Sequence, residues 1–237
     1  MKFIFDKHCD NRKRLENILR FIRDILESRE PYESQTVFYI IKILTDRINS
    51  GKCIDKLCES HSKPDYGIDI EDDNITNTRN EVELKCPITI SLGKDPVLVS
   101  FKDREKIVKR LATIGTEENK WEQRITVGTD KHCFNLFLPI GVTEICEGRH
   151  SVYSGIVKGV GKLTYTPGDK NQKVFDISYL YDEIYYDGFC YRNISKNKKI
   201  EEVPFEYGCI FEIGRLIKEH NISFLNIKYS EFESENE

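Results

Sequence analysis

Apolar residues in the N-terminal part of the chain recur at intervals of three and four residues, the spacing of a helix with one buried face. The first run contains Leu15, Ile18, Leu19, Ile22, Ile25 and Leu26, and the second contains Val37, Ile40, Ile41, Leu44 and Ile48. Pro31 separates the two runs, and Gly51 follows the second. Helices commonly end at such residues. The pattern therefore predicts a helical hairpin within residues 1–65.

The second predicted helix also carries apolar residues outside this face, namely Phe38, Tyr39 and Ile43. Because a helix that is apolar on several sides is normally buried, we expect most of its surface to be covered. A large exposed apolar area on this helix would instead favour a surface that docks a protein partner.

Residues 66–84 are polar and acidic, with six Asp and Glu residues against a single basic residue, Arg79. Such a composition is typical of a solvated linker. Clustered carboxylates are also the ligands of an acidic metal site, which is the alternative interpretation. Residues 231–237 contain four Glu and no basic residue, which predicts an acidic C-terminal tail.

Residues 85–230 mix short strand-like and helix-like patterns without regular alternation. Strands are expected at 88–92, 134–138, 142–146, 163–165, 174–177, 184–191 and 222–229, and helices at 103–111, 149–157 and 206–220. A Pro167–Gly168–Asp169 turn predicts a hairpin between the strands at 163–165 and 174–177. These elements are typical of an α+β core domain with a mixed sheet, ending in a helix and a strand.

Charge and composition narrow the classes of function. The chain has 36 basic and 40 acidic residues, and its net charge of -4 excludes a globally basic nucleic-acid binder but not a local basic site. A charged residue interrupts the first apolar run, so no signal peptide is expected. No apolar run approaches the ~20 residues of a membrane span, which predicts that no membrane is a partner.

Eight cysteines without a secretory signal indicate intracellular thiols. The high content of Lys, Ile and Asn is typical of an AT-rich bacterial genome, so we expect a bacterial cytoplasmic protein. Cys53, Cys58 and His61 supply three potential zinc ligands, whereas structural zinc sites use four. We therefore predict free thiols and no metal. The Tyr-rich segment 179–191 would suit base stacking, but such strands are more commonly half-buried sheet surface.

One turn in the middle of the core carries the residue types of a chemical site, although the chain lacks the P-loop, nucleophile-elbow and H-E-x-x-H signatures. Gly148 permits a tight bend and the close approach of a ligand. The first amides of the following helix favour an anion, and Arg149 suits a phosphate. An ordinary turn would show the same pattern. The functional interpretation gives Gly148, Arg149 and Ser151 as ligand-binding residues and Glu147 and His150 as catalytic proton-transfer residues.

This turn resembles the phosphate-binding box of the ParB/sulfiredoxin superfamily, in which a glycine and a basic pair open a helix. Upstream, the strand at 88–92, the Asp95–Pro96 turn and the helix at 103–111 resemble the opening box of that superfamily. The similar part covers residues 87–161. The resemblance implies a ParB/sulfiredoxin-like core that binds a nucleotide, with Asp95 among the ligand-binding residues.

Members of this superfamily act as CTP-dependent switches, ATP-using reductases or nucleases. The reductases have a cysteine directly before the basic pair, whereas Cys146 here lies three residues before Arg149. Reductase activity is therefore not expected. The whole chain, including residues 211–216, also resembles an uncharacterised bacterial family.

Taken together, these patterns predict a protein that binds the phosphate of a nucleotide or nucleic acid at residues 147–151. The sequence leaves open whether it is an enzyme. If it is, the expected reaction is hydrolysis of a phosphodiester or nucleotide, with a nucleotide and a divalent cation as the implied cofactors. The alternative is a non-catalytic interaction protein, such as a defence or toxin–antitoxin component, that docks a protein partner through the N-terminal helices.

Overall fold

The computed structural model of the chain describes residues 7–28, 33–58, 80–121 and 132–229. The helices are α1 (Lys7–Leu26), α2 (Glu33–Leu57), α3 (Arg104–Thr113), α4 (Arg149–Lys158), α5 (Leu180–Glu183), α6 (Phe205–Glu219) and α7 (224–229). The strands are β1 (Ile88–Ser91), β2 (Val97–Leu98), β3 (Phe134–Leu138), β4 (Val142–Ile145), β5 (Lys162–Tyr165), β6 (Gln172–Asp176), β7 (Ile184–Tyr186), β8 (Cys190–Asn193) and β9 (Lys199–Glu202). These elements confirm the α+β class and the N-terminal helical pair.

The largest sheet has the strand order β2-β4-β3-β6. β2 and β4 pair in parallel, β3 and β4 pair antiparallel, and β3 and β6 pair in parallel. The central strand β3 buries Phe134, Leu136 and Phe137. Because β2 and β4 run in the same direction, the helices that follow them, α3 and α4, begin at the same edge of the sheet.

Two smaller antiparallel sheets complete the fold, one formed by β1 and β5 and the other by β7, β8 and β9 in that order. Helix α6 contacts α1, α2 and β7. It is buried on most of its circumference, in keeping with the apolar residues that it carries on several sides. Its central position joins the N-terminal helices to the three-stranded sheet.

The N-terminal helices pack directly on the rest of the molecule. Leu15, Ile22 and Ile41 belong to the same buried cluster as the apolar residues of the sheets. The side chain of Asn49 on α2 is also buried and lies against β2, where its Nδ2 donates to the carbonyl of Val97 at 2.8 Å. Its Oδ1 accepts from the amide of Val99 at 3.0 Å. The side-chain amide thus occupies the place of a neighbouring strand.

Three predictions about the strands of the core are wrong. The strands at 163–165 and 174–177 form no hairpin, since β5 pairs with β1 and β6 with β3. The predicted strand at 184–191 is two strands, separated by a turn at Gly188 with φ +97°. The predicted final strand is largely helical: residues 224–229 form α7, which buries Phe224 and Lys228 one turn apart.

Helix α2 differs from the prediction in its length and in its exposure. It continues through Gly51 to Leu57, because Cys53 extends the buried face beyond the glycine. Tyr39 is 52% exposed and Ile43 is 66% exposed, so the expected burial on most sides is wrong. Helix α2 has one buried face and an apolar surface outside it.

The predicted boundaries of the domains lie partly outside the described residues. The acidic linker at 66–84 is described only from residue 80, and the acidic tail at 231–237 lies outside the structure as described. Within residues 80–84 the chain follows β6, where the amide of Val82 donates to the carbonyl of Val174 at 2.9 Å. The division into domains at 1–65 and 85–230 stays a prediction. No helix among the described residues combines the length and the apolar character needed to cross a membrane.

Candidate functional site

The predicted turn lies where the parallel strands β2 and β4 end. β4 leads through residues 146–148 into α4, and β2 leads through residues 99–103 into α3. Phe101, in the second connection, packs on the start of α4: its ring centroid lies 4.7 Å from that of Tyr153 and 6.3 Å from that of His150. The topology therefore places the N-termini of two helices side by side at one edge of the sheet.

The two helix starts differ in how their backbone amides are paired. At α3, the carboxylate of Asp103 accepts from the amides of Glu105 and Lys106, at 2.9 and 3.2 Å. At α4 the N-cap is Gly148, which has no side chain to accept such bonds and adopts the left-handed conformation, with φ +80° and ψ +14°. A carboxylate thus already lies at the start of α3, whereas the start of α4 has no side-chain cap.

Two amides at the start of α4 have no acceptor within the described part of the chain. The amides of Ser151 and Val152 both donate to the carbonyl of Gly148 at 3.1 Å. The amides of Arg149 and His150 have no such partner among those residues. Unpaired amides at a helix N-terminus attract an anion through their own partial charges and through the helix dipole. The backbone of this turn can therefore hold a small anionic group.

The side chains that flank these amides contribute one positive charge and one carboxylate. The guanidinium of Arg149 is half-buried, and its Nε donates to the carbonyl of Ile145 at the end of β4, at 3.2 Å. This bond holds the charge close to the turn. Glu147 is exposed, and its backbone amide donates to the carbonyl of Cys133 at 3.1 Å. Both predicted residues are therefore present at the helix start.

His150 lies between the two helix starts with one nitrogen unpaired. Its Nε2 is buried and has no hydrogen-bond partner in the structure as described. Burial lowers the pKa of His150, an effect that the nearby Asp103 opposes. The imidazole is therefore neutral at pH 7 and able to accept or donate a proton at Nε2, according to its tautomer.

Ser151 is held by its own neighbours. Its hydroxyl donates to the carbonyl of Gly148 at 2.8 Å and lies 3.0 Å from Nε2 of His132, which then donates to it. The ring of His132 stacks on Trp121, with centroids 5.2 Å apart, and the indole Nε1 of Trp121 donates to the carbonyl of Ser151 at 2.9 Å. Ser151 therefore orders the turn, and its hydroxyl is already used in doing so.

The structure places Asp95 away from these residues. Asp95 precedes β2, so it lies at the opposite end of this strand from the helix starts. Its buried carboxylate accepts from the amide of Ser91 at 2.6 Å and forms an ion pair with Lys228 on α7. Asp95 links two parts of the fold, and we do not retain it in the ligand-binding site.

Sequence reasoning missed three residues of this region, Asp103, Trp121 and His132. Asp103 directly precedes a helix with a Glu two positions later, so its role as an N-cap is visible in the sequence. Trp121 and His132 lie at the ends of described segments that are distant from the turn along the chain. No local pattern connects them to Ser151.

A pair of cysteines adjoins the turn on the β3 side. Cys146 and Cys133 occupy facing positions, and the amide of Cys146 donates to the carbonyl of Cys133 at 2.8 Å. Burial, together with the neighbouring Cys133, raises the pKa of the Cys146 thiol to about 12. The thiol is therefore protonated at neutral pH and is a poor nucleophile. Across the described segments, no group of three His, Cys, Asp or Glu side chains is arranged to hold a metal ion.

Comparisons with known proteins identify the family of the chain. No curated protein and no solved structure matches it significantly. The comparisons show no link to the ParB/sulfiredoxin superfamily, which stays a prediction. One family profile, described as a family of unknown function, matches nearly the whole chain. The chain therefore belongs to this family, DUF6710, over residues 2–224.

Proposed function

We propose that the N-terminus of α4 binds a phosphate group of a nucleotide or nucleic acid. The observation that carries this proposal is the uncapped start of α4, where Gly148 leaves the amides of Arg149 and His150 without an acceptor among the described residues. The guanidinium of Arg149, tethered to the end of β4, offsets the charge of a phosphate at this place. The adjacent start of α3 is already neutralised by Asp103.

The order of strand, glycine turn and helix also agrees with the ParB/sulfiredoxin resemblance, which supports a nucleotide over a simple inorganic anion. In the catalytic form of this proposal, His150 transfers the proton at Nε2, and because this atom is buried, binding of the substrate must first open access to it. Glu147, as an exposed carboxylate beside the phosphate, would ligate the divalent cation that a nucleotide carries. Hydrolysis of a phosphodiester or nucleotide is the reaction that these two groups suit.

A second candidate function rests on the surface of α2. Tyr39, Ile43, Ile54 and Leu57 are exposed. At about 3.6 residues per turn they lie on one side of the helix. An exposed apolar stripe of this kind is typical of a surface that contacts a protein. It favours the alternative in which the protein is a non-catalytic interaction partner.

Phosphate binding is tested by thermal unfolding at low salt in the presence of ATP and of a short oligonucleotide. A ligand at ~100 times its dissociation constant stabilises the native state by about 2.7 kcal/mol. We expect the melting temperature to rise by about 5–10 °C for a chain of this length, and less at high salt. Arg149→Gln should abolish the rise.

Arg23→Gln, an exposed position in the last turn of α1, is the matched control and should leave the rise unchanged. His150→Ala should preserve binding while removing any hydrolysis of the bound ligand. If no nucleotide or oligonucleotide raises the melting temperature, phosphate binding is contradicted. Docking of a protein on the α2 surface is then the function that the structure supports. An equal rise in wild type and in Arg149→Gln would exclude the proposed site.

A further inference from the structure

An open groove of about 600 Å³ lies between α1 and the three-stranded sheet. One wall is a single face of α1, formed by Arg12, Leu15, Glu16 and Leu19. The other wall comes from the end of β7, from β8 and from the turn that follows β8. The size is typical of a site for a small organic ligand.

Two arginines from opposite walls meet at Asp187. The Nε of Arg12 donates to the backbone carbonyl of Asp187 at 3.2 Å, and Arg192 forms an ion pair with its carboxylate through Nε. Gly188 favours this approach, because its φ of +97° suits glycine and a Cβ there would lie only 3.1 Å from the backbone nitrogen of Arg12. Both guanidinium groups are thus held at one residue.

Part of each guanidinium group remains available to a ligand. The terminal nitrogens of Arg12 have no acceptor among the residues that the structure describes. Arg192 uses Nε for Asp187 and Nη1 for the carbonyl of Asn197, at 3.3 Å, and its Nη2 has no acceptor in the same part of the chain. Asp187 already offsets the charge of Arg192, so the unpaired nitrogens of the two arginines bind an oxyanion such as a phosphate monoester chiefly as hydrogen-bond donors, with the net positive charge of Arg12.

The rest of the groove suits a flat, partly apolar body. The ring of Tyr185 is held by its hydroxyl, which donates to Oδ1 of Asn197 at 2.7 Å. Leu15 and Leu19 of α1 line the same groove. An aromatic ring held in place by such a bond is a platform on which a planar base stacks. Glu16 adds an acceptor for a hydroxyl or amino group of the ligand.

We propose that this groove is a binding site for a nucleoside monophosphate, separate from the N-terminus of α4. The phosphate lies between Arg12 and Arg192, the base stacks on Tyr185 against the leucines of α1, and Glu16 accepts from the sugar or the base. Glu16 lies one turn from Arg12 on the same wall and repels additional negative charge, so we expect a monophosphate to bind more tightly than a longer chain of phosphates.

The test uses adenosine monophosphate as the probe and isothermal titration calorimetry on the whole chain. Wild type should bind it, and inorganic phosphate should bind at least about tenfold more weakly because it lacks the stacking base. Arg12→Gln removes one charged donor and should raise the dissociation constant about tenfold or more. Tyr185→Leu should raise the dissociation constant of the nucleotide by a similar factor and leave that of inorganic phosphate unchanged.

Arg20→Gln is the matched control, because Arg20 lies on α1 outside the groove and contacts Asn17. It should bind adenosine monophosphate as wild type does. Measuring the series in the Arg149→Gln background removes any binding of the nucleotide at α4, so that the affinity that remains in this background and is lost on adding Arg12→Gln belongs to the groove. Hydrogen exchange should slow in residues 12–19 and 185–197 on addition of the nucleotide. Equal affinity of wild type and Arg12→Gln, or protection confined to the start of α4, would overturn the proposal.

Discussion

Replacing Lys228 with methionine is expected to lower the free energy of unfolding by about 3–5 kcal/mol, the usual cost of breaking a buried ion pair. The Nζ of Lys228 lies 2.6 Å from Oδ1 of Asp95, and the two side chains are 4% and 9% exposed. Methionine retains the apolar stem but removes the ammonium from beside a carboxylate that water cannot solvate. Urea unfolding followed by circular dichroism measures the change.

Lys173→Met is the matched control for this prediction. Lys173 pairs with Glu81 at 3.2 Å, but their side chains are 48% and 54% exposed, so the expected loss is below about 1 kcal/mol. Adding Asp95→Asn to Lys228→Met should recover part of the stability, because the buried charge is gone while Asn can still accept from the amide of Ser91. If Lys173→Met and Lys228→Met lowered the free energy of unfolding by the same amount, burial would not make the Asp95–Lys228 pair more important than an exposed one.

Arg215→Met should also lower the free energy of unfolding by about 3–5 kcal/mol, for a different structural reason. The guanidinium binds Glu212 at 2.8 Å, the carbonyl of Ile184 at 2.6 Å and the carbonyl of Tyr181. Glu212, in turn, accepts from the amide of Tyr186 at 2.7 Å. Removal of Arg215 leaves a buried carboxylate without its counter-charge and two carbonyls without this donor, all at the junction of α6 with α5 and β7.

Two variants distinguish this network from an ordinary ion pair. Arg47→Met breaks a 2.7 Å pair with Glu206 in which the arginine is 67% exposed, and it should cost less than about 1 kcal/mol. Arg215→Lys retains the positive charge but not the planar fork, so an intermediate loss is expected. If Arg215→Lys were as stable as wild type, charge alone would account for the effect and the carbonyl bonds would contribute nothing.

The sequence predicts the helices better than the sheets, for a physical reason. The buried faces of α1, α2 and α6 repeat within a few turns, so each helix is visible in its own segment. The pairing of β5 with β1 and of β6 with β3 joins residues that no local pattern relates. The Pro167–Gly168–Asp169 turn is present, but the strands on its two sides belong to different sheets.

In the candidate site, too, the residues that are neighbours along the chain can be predicted from the sequence, and those that are distant along the chain cannot. The turn at 147–151 is recognisable because strand, glycine and helix follow one another along the chain. The resemblance places Asp95 in this site, whereas in the folded structure it pairs with Lys228, which lies 133 residues away along the chain. The same holds for Trp121 and His132, which hold Ser151 from a distance.

The side chain of Asn49 has a consequence for how the protein avoids association with other chains. A strand at the end of a sheet exposes backbone donors and acceptors that another molecule can extend into a shared sheet. At β2 the side chain of Asn49 forms hydrogen bonds with these groups. At β6 the amide of Val82 and the carbonyl of Asn80 form hydrogen bonds with the exposed backbone of the strand in the same way. The four-stranded sheet is therefore closed at both ends by its own chain. Until α2 docks, β2 remains open, so a partly folded chain that lacks this helix would be the form most prone to aggregate.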